Sequence, residues 1–405
     1  MKRKLVSLLL MLVLIGTFAP AASAATEIDF VFWMSEQQEQ IFAMVENFNK
    51  TQDEVIVNPT LISSGYWDKM HVSVPAGEGS DVFCINALNM VDYVTNGYVL
   101  DISDLFEKGD IDLGNFAPST YMTATIGGKT WGIPKDYDTI AIAYNKAIFD
   151  QAGVEYPKDG WTWDEFVETC KAITEKTGIY GTTCADSMQT GGYLTFAAGG
   201  KDFNEDGTCA LNTPEVIAAY QALTDLIWVH KVAPTIEELQ EVNISTMFQN
   251  DMVAMTFQGS WNVRYFSENL GEKIGFVSLP LYNNTEANIV HSVSFAGNAK
   301  TKEPEAVKKF LAYLATEEAQ AITATTVIPA FNGLAEKWAA NFPNLSLDCY
   351  TKPVPNGTAV PLPTAPKNSH EIFVTMGNMI KECLQFNKVP ETIAEYTAKI
   401  DELLK

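Results

Sequence analysis

Between residues 28 and 85 short, solid apolar runs alternate with helical patterns, and this order constrains the fold more than any other feature of the chain. Residues 28–33 (Ile-Asp-Phe-Val-Phe-Trp) read as a largely buried strand, as do 55–57 (Val-Ile-Val) and 82–85 (Val-Phe-Cys-Ile). Between the first two, Ile41, Phe42, Val45 and Phe48 repeat at the spacing of one helix face. Ser35, followed three residues on by Gln38, predicts a capping box at the start of that helix. A short helix over 66–74 precedes the third strand. Solid apolar strands separated by helices predict a parallel sheet covered on both faces, in which ligands bind at the loops beyond the strand carboxyl ends.

A second unit begins near Thr139, where Ile140, Ile142 and Tyr144 alternate with small residues. Thr162 and Glu165 predict a capped helix with Phe166, Cys170 and Ile173 on one face and Gly178 at its end. Thr213 and Pro214 open another, carrying Val216, Tyr220, Leu223 and Ile227 inward. Residues 252–257 read as an apolar strand that runs into Gln258-Gly259-Ser260-Trp261. Pro353, Pro355, Pro361, Pro363 and Pro366 predict a long surface connection without regular structure over 351–369. No flexible Gly/Ser linker separates the two units, so the chain is expected to cross between them more than once.

At the amino end, Lys2, Arg3 and Lys4 precede an apolar run over 5–18 and then Ala22-Ser23-Ala24, the form of a secretory signal peptide over 1–24 cleaved near Ala24. The run is shorter than the ~20 residues needed to span hydrocarbon. An exported protein, extracellular or periplasmic, is expected, and with no Cys before Cys84 there is no lipobox cysteine to acylate. With 50 Asp+Glu against 27 Lys+Arg the net charge is −23, so the surface repels polyanions and argues against nucleic acid as a partner. The six cysteines match no CxxC or zinc spacing; buried thiols and up to three disulfides both remain open readings.

Motifs for catalysis fail on inspection. Gly127-Gly128-Lys129-Thr130 imitates the end of a phosphate-binding loop, but Thr123 stands where the first Gly belongs. His370-Glu371 would need a second His where Val374 stands, and Ser260 lacks the glycines of a nucleophile elbow. The stretch 202–207 copies half a calcium loop, yet its twelfth position is Thr213 rather than Glu, so a turn is the better reading. No histidines fall three or four apart. These failures weaken the enzyme reading without excluding it, since 50 carboxylates can always supply an acid and a base; the expectation is no enzyme, no metal and no cofactor.

Several segments, in order, resemble the family 1 extracellular solute-binding proteins of ABC transporters, the sugar-binding class that includes maltose-binding protein. Thr130-Trp131-Gly132-Ile133-Pro134, Asp136-Tyr137-Asp138-Thr139, Tyr144-Asn145-Lys146-Ala147-Ile148-Phe149 and Thr162-Trp163-Asp164-Glu165-Phe166 follow one another almost without a gap. Tyr66-Trp67-Asp68-Lys69-Met70, Ser80-Asp81-Val82-Phe83, Phe248-Gln249-Asn250-Asp251-Met252 with Gly259-Ser260-Trp261, and Lys302-Glu303-Pro304-Glu305-Ala306 extend the match to about residue 335. The resemblance implies an α/β fold of the two-lobe periplasmic-binding-protein kind (type II-like), each lobe a mainly parallel sheet flanked by helices, with the ligand cleft between the lobes. It places lobe 1 at 25–137 plus 291–328 and lobe 2 at 138–290 plus 329–405. It further implies a monomer that closes on a mono- or oligosaccharide and hands it to the membrane permease subunits of an ABC transporter. A secreted carbohydrate-active enzyme, or a receptor for a non-sugar solute, are the alternatives.

A sugar offers apolar C–H faces and a rim of hydroxyls, so its site needs flat aromatic rings and fixed polar atoms. Candidates in the first lobe are Trp33, Ser35 and Glu36 just past the first strand, Tyr66 at a helix start and Asn86 after the third strand. Asp136, Tyr137 and Asp138 stand where the first crossover is expected, and His291 at the second. In the second lobe Gly191-Gly192-Tyr193 are expected as a loop that lets backbone approach the ligand, with Gly192 and Tyr193 as contacts and Trp261 as the stacking platform.

Overall fold

A computed structural model describes residues 25–184 and 188–405. The expected signal peptide lies outside them. In chain order the strands used below are β1 (Thr26–Phe32), β2 (Val55–Leu61), β3 (Val82–Asn86), β4 (Ile133–Asp138), β5 (Ile140–Asn145), β6 (Met255–Gly259), β7 (Ile274–Val277), β8 (Asn288–Gly297), β9 (Ile328–Pro329) and β10 (Ala359–Pro361); a separate two-stranded hairpin pairs Thr125–Ile126 with Lys129–Thr130. The helices used below are α1 (Gln38–Thr51), α2 (Tyr66–Ala76), α3 (Ala87–Thr95), α4 (Trp163–Thr177), α5 (Met188–Ala197), α6 (Pro214–Trp228), α7 (Pro304–Leu314), α8 (Ser369–Phe386) and α9 (Val389–Leu403).

One sheet runs β9-β4-β8-β3-β1-β2, with β10 added beside β8. Its β1, β2 and β3 are parallel, as the alternation of apolar runs and helices requires. Ile28, Phe30, Phe32, Ile41, Val45, Phe48, Val307 and Phe310 fill the core between that sheet and helices α1 and α7. β8 runs antiparallel to both β3 and β4 because it brings the chain back from the second lobe.

The second sheet, β6-β5-β7, corrects the expectation of mainly parallel pairing in each lobe, since β6 and β7 are both antiparallel to β5. The reason is the direction of entry. β5 leads the chain away from the junction at Thr139, and both neighbours run back toward it, so Gly259 at the end of β6 pairs with Ile140 at the start of β5. The carboxyl end of β6 therefore points at the junction between the sheets. Around this sheet Ile142, Phe166, Cys170, Leu223, Ile380 and Cys383 form a second core, to which α8 and α9 contribute from the end of the chain. At the junction the Asn288 side chain accepts from Ile140 N (3.0 Å) and donates to Ile140 O (2.7 Å), tying two crossing strands together.

Local chemistry accounts for several boundaries. The Thr162–Glu165 capping box opens α4, Gly178 ends it in the left-handed conformation, and Thr213 caps α6 ahead of Pro214. The expected Ser35–Gln38 box is absent: Ser35 starts a short 3-10 turn, Ser35–Gln37, with no side-chain cap, and α1 begins only at Gln38. Residues 351–369 are not simply a surface connection either. Ala359–Pro361 pairs with β8 and Leu362 is buried, its N–H donating to Val290 O at 2.7 Å; Pro361 is tolerated because it stands on an edge strand. All six cysteines are free, five of them buried, which decides between the two readings in favour of thiols. Among the described residues no helix is long and apolar enough to cross a membrane.

Candidate functional site

A cleft of about 390 Å³ opens between the two sheets. Trp33, Met34, Glu36 and Gln37, on the segment that leaves β1, form one side, and Asp136 and Asp138 on β4 with His291 on β8 form the floor. Trp261, two residues past β6, faces them from the second lobe. Leu88, Leu362, Phe373 and Gly377 complete the wall.

The floor depends on an irregularity. Opposite β8, Asp136 pairs with Val293 and Pro134 with Ser294, which leaves Lys135 as the extra residue of a β-bulge. A bulge lets consecutive side chains share one face, and here the Lys135 ammonium meets the Asp136 carboxylate with both side chains almost wholly buried. Lys135 Nζ also donates to Gln37 Oε1 (2.7 Å), and Val293 N donates to Asp136 Oδ1 (3.2 Å). Burial pushes the Asp136 carboxyl up, and the Lys135 ammonium pulls against it.

Asp138, one strand repeat further, is held from both lobes. Ser260 Oγ donates to its Oδ1 (2.9 Å), while His291 Nδ1 lies 4.0 Å from its Oδ2. Next to Ser260, Trp261 keeps 42% of its surface exposed although it stands amid buried neighbours. Its indole is a flat apolar face left open to the cleft, the arrangement expected of a stacking platform.

The other candidates go elsewhere. Ser35 is exposed on its 3-10 turn and does not line the cleft. Tyr66 is buried, its hydroxyl donating to Cys84 O (2.6 Å), and its ring supports Trp33 at 5.0 Å between centroids. Asn86 caps α3 by accepting from Asn89 N (3.1 Å). Tyr137 alternates to the opposite face of β4 and packs in a third core with Ile328 and Trp338, as the two-residue period of a strand demands. Gly192 and Tyr193 lie not in a loop but in α5. Tyr193 is fully buried, and a β-carbon at Gly191 would come within 2.7 Å of Tyr220 Oη, with Ile289 against Gly192. These glycines serve close packing of a helix.

Lys135, Gln37 and the apolar wall went unread. A lysine beside two aspartates gives no hint of burial in a sequence, and Leu88 and Phe373 carry no signal that separates a cleft wall from a core. Among the described residues no three His, Cys, Asp or Glu are grouped closely enough to hold a metal ion.

Two α/β lobes joined by crossing strands, with a polar and aromatic cleft between them, define a ligand-binding protein of the two-lobe periplasmic type. The chain belongs to the bacterial extracellular solute-binding protein family, whose profile matches residues 27–321. Among curated relatives, it is 30% identical over 205 residues to an arabinooligosaccharide-binding protein of Halalkalibacterium halodurans, covering 47% of this chain and 44% of that one. It is 24% identical over 331 residues to a galactooligosaccharide-binding protein of Bacillus subtilis, covering 78% and 76%. The first of these matches spans less than half the relative's length. An ABC substrate-binding protein from Listeria monocytogenes, solved with cycloalternan, shares the fold with a TM-score of 0.83 at 23% identity, over 94% of this chain and 99% of that one. The sugar-binding protein MalE of Xanthomonas citri superposes with a TM-score of 0.78 at 19% identity, over 94% and 97%.

Proposed function

We propose that this chain is an exported receptor for a mono- or oligosaccharide, which closes on its ligand and delivers it to the permease of an ABC transporter. One observation carries the reading: Trp33 of one lobe and Trp261 of the other face a single cleft whose floor presents Asp136, Asp138 and His291. Tryptophan faces suit the C–H faces of a pyranose, and fixed carboxylates suit its hydroxyls. Glu36, Asp136 and Asp138 line the cleft while no lysine or arginine is among its described lining residues, which favours a neutral cargo over an acidic one. The saccharide-binding relatives support the same class.

Closure supplies selectivity, because only a ligand that touches both lobes shifts the population toward the closed state. The lobes divide at about 25–137 plus 291–328 and 138–290 plus 329–405, with Thr139 and Asn288 at the junction. The chain acts without turnover and as a monomer. Thermal unfolding against a saccharide panel tests this directly, since a ligand confined to the native state adds about 2.7 kcal/mol of stability at 100 times its Kd. A rise with one saccharide class, recovered intact, is expected. Cleaved sugar would move the protein to the carbohydrate-active enzymes, and no rise with any saccharide would move it to another solute.

A further inference from the structure

The cleft has one wall without a polar side chain. Leu88 from α3, Leu362 after β10 and Phe373 and Gly377 from α8 line it, and the first three belong to one apolar cluster. Every charged or amide side chain of the cleft comes instead from the segment after β1 or from the crossing strands β4 and β8.

Gly377 is the telling residue. It lies inside the 18-residue helix α8, four positions after Phe373 and so on the same face. Glycine there weakens the helix relative to alanine, yet neither backbone nor packing asks for it. Its φ is not positive, and a β-carbon added at 377 would meet nothing within 4 Å. At Gly191 the neighbouring Tyr220 excludes a side chain; at Gly377 the room is empty and opens onto the cleft. A helix that forgoes a side chain beside a dry wall keeps space for an apolar group of the ligand.

We propose that the cargo saccharide bears a methyl group, as a 6-deoxy ring or an acetyl substituent, seated on Leu88, Leu362 and Phe373 over Gly377. This rests on the saccharide reading above. A hydroxyl at that place loses its water and gains no partner from the wall, whereas a methyl is buried at no such cost. A pocket built this way discriminates one such group by roughly tenfold or more.

The test is titration calorimetry of the mature protein with matched pairs: D-fucose against D-galactose, L-rhamnose against L-mannose, and N-acetylglucosamine against glucose, each as the free sugar and in short oligosaccharides. The methyl-bearing member of one pair is expected to bind at least about tenfold tighter, and which pair responds tells deoxy ring from acetyl. Gly377→Leu, which fills open space, should bring that member down to its hydroxylated counterpart, while Gly377→Ala should raise the melting temperature of the free protein. Equal or tighter binding of the hydroxylated members overturns the methyl site and leaves the saccharide receptor standing. Absence of binding by every sugar overturns both.

Discussion

The indole of Trp261 lies over the α-carbon of Gly259, so closely that a β-carbon at 259 would overlap its six-membered ring. Gly259 needs no special backbone conformation, its φ being −81°. The glycine is there for the ring, and the ring is held flat against the end of β6 where the cleft opens.

Gly259→Ala should therefore displace the indole. We expect saccharide affinity to fall by about as much as in Trp261→Ala, roughly tenfold or more for a lost stacking platform. Because Trp261 keeps 42% of its surface exposed and belongs to no core cluster, the melting temperature of free Trp261→Ala should stay close to that of the parent. Calorimetric titration and melting of both variants check this, and undiminished affinity in the two would remove Trp261 from the site.

Lys135→Met leaves the Asp136 carboxylate buried without its partner, a change that costs about 3–5 kcal/mol in such settings. Replacing both, as Lys135→Met with Asp136→Leu, should recover much of that loss while abolishing saccharide binding. Urea unfolding of the single and double variants measures the difference. A single variant as stable as the parent would show that the pair contributes nothing to holding the cleft floor.

Asp92 of α3 accepts from Ser369 N (2.9 Å) and His370 N (3.0 Å), capping the first turn of α8 from the other lobe. The helix's own Asn368 makes no side-chain cap and donates instead to Leu403 O. Asp92→Ala should cost about 1 kcal/mol, the usual worth of a helix cap. Hydrogen exchange at Ser369 and His370 reports it: faster exchange confined to that turn is the expected pattern, and unchanged exchange would mean the cap is dispensable.

Asp202 gives a pH dependence. Its side chain is buried, neither carboxylate oxygen has a partner among the described residues, and burial pushes the carboxyl from 3.8 up to about 7. The folded chain thus keeps a proton between those values that the unfolded chain releases. Its contribution to stability is full below the ordinary value, declines as pH rises and is gone above the raised one, a swing of about 4 kcal/mol at most. Asp202→Asn should flatten this slope and be the more stable protein near neutrality. Melting curves from pH 4 to 8 decide, and a variant that tracks the parent at every pH would refute the assignment.

Much of the fold was legible because burial repeats along the chain. The strands around Phe30, Val57 and Phe83, the helix faces through Phe48 and Leu223, and the caps at Thr162 and Thr213 follow from local rules that need no distant partner. Of the candidate residues, Trp33, Glu36 and Trp261, just past strand ends, and Asp136, Asp138 and His291, on the crossing strands, line the cleft. Tyr137, between Asp136 and Asp138, turns to the opposite face because side chains alternate along β4, and the paired glycines that read as a loop sit in a helix, with Tyr220 against Gly191 and Ile289 against Gly192.

Residue order along the chain is enough for the list of elements and the chemistry at their ends, since these depend on periodicity and on caps within a few residues. That Lys135 faces Asp136, that the second sheet is antiparallel, and that Leu88, Leu362 and Gly377 share one wall emerge from the folded arrangement alone. Each of those is a meeting of residues far apart in the chain or a shift of one place in strand register. Such meetings are set by the packing of whole elements, which no local pattern records.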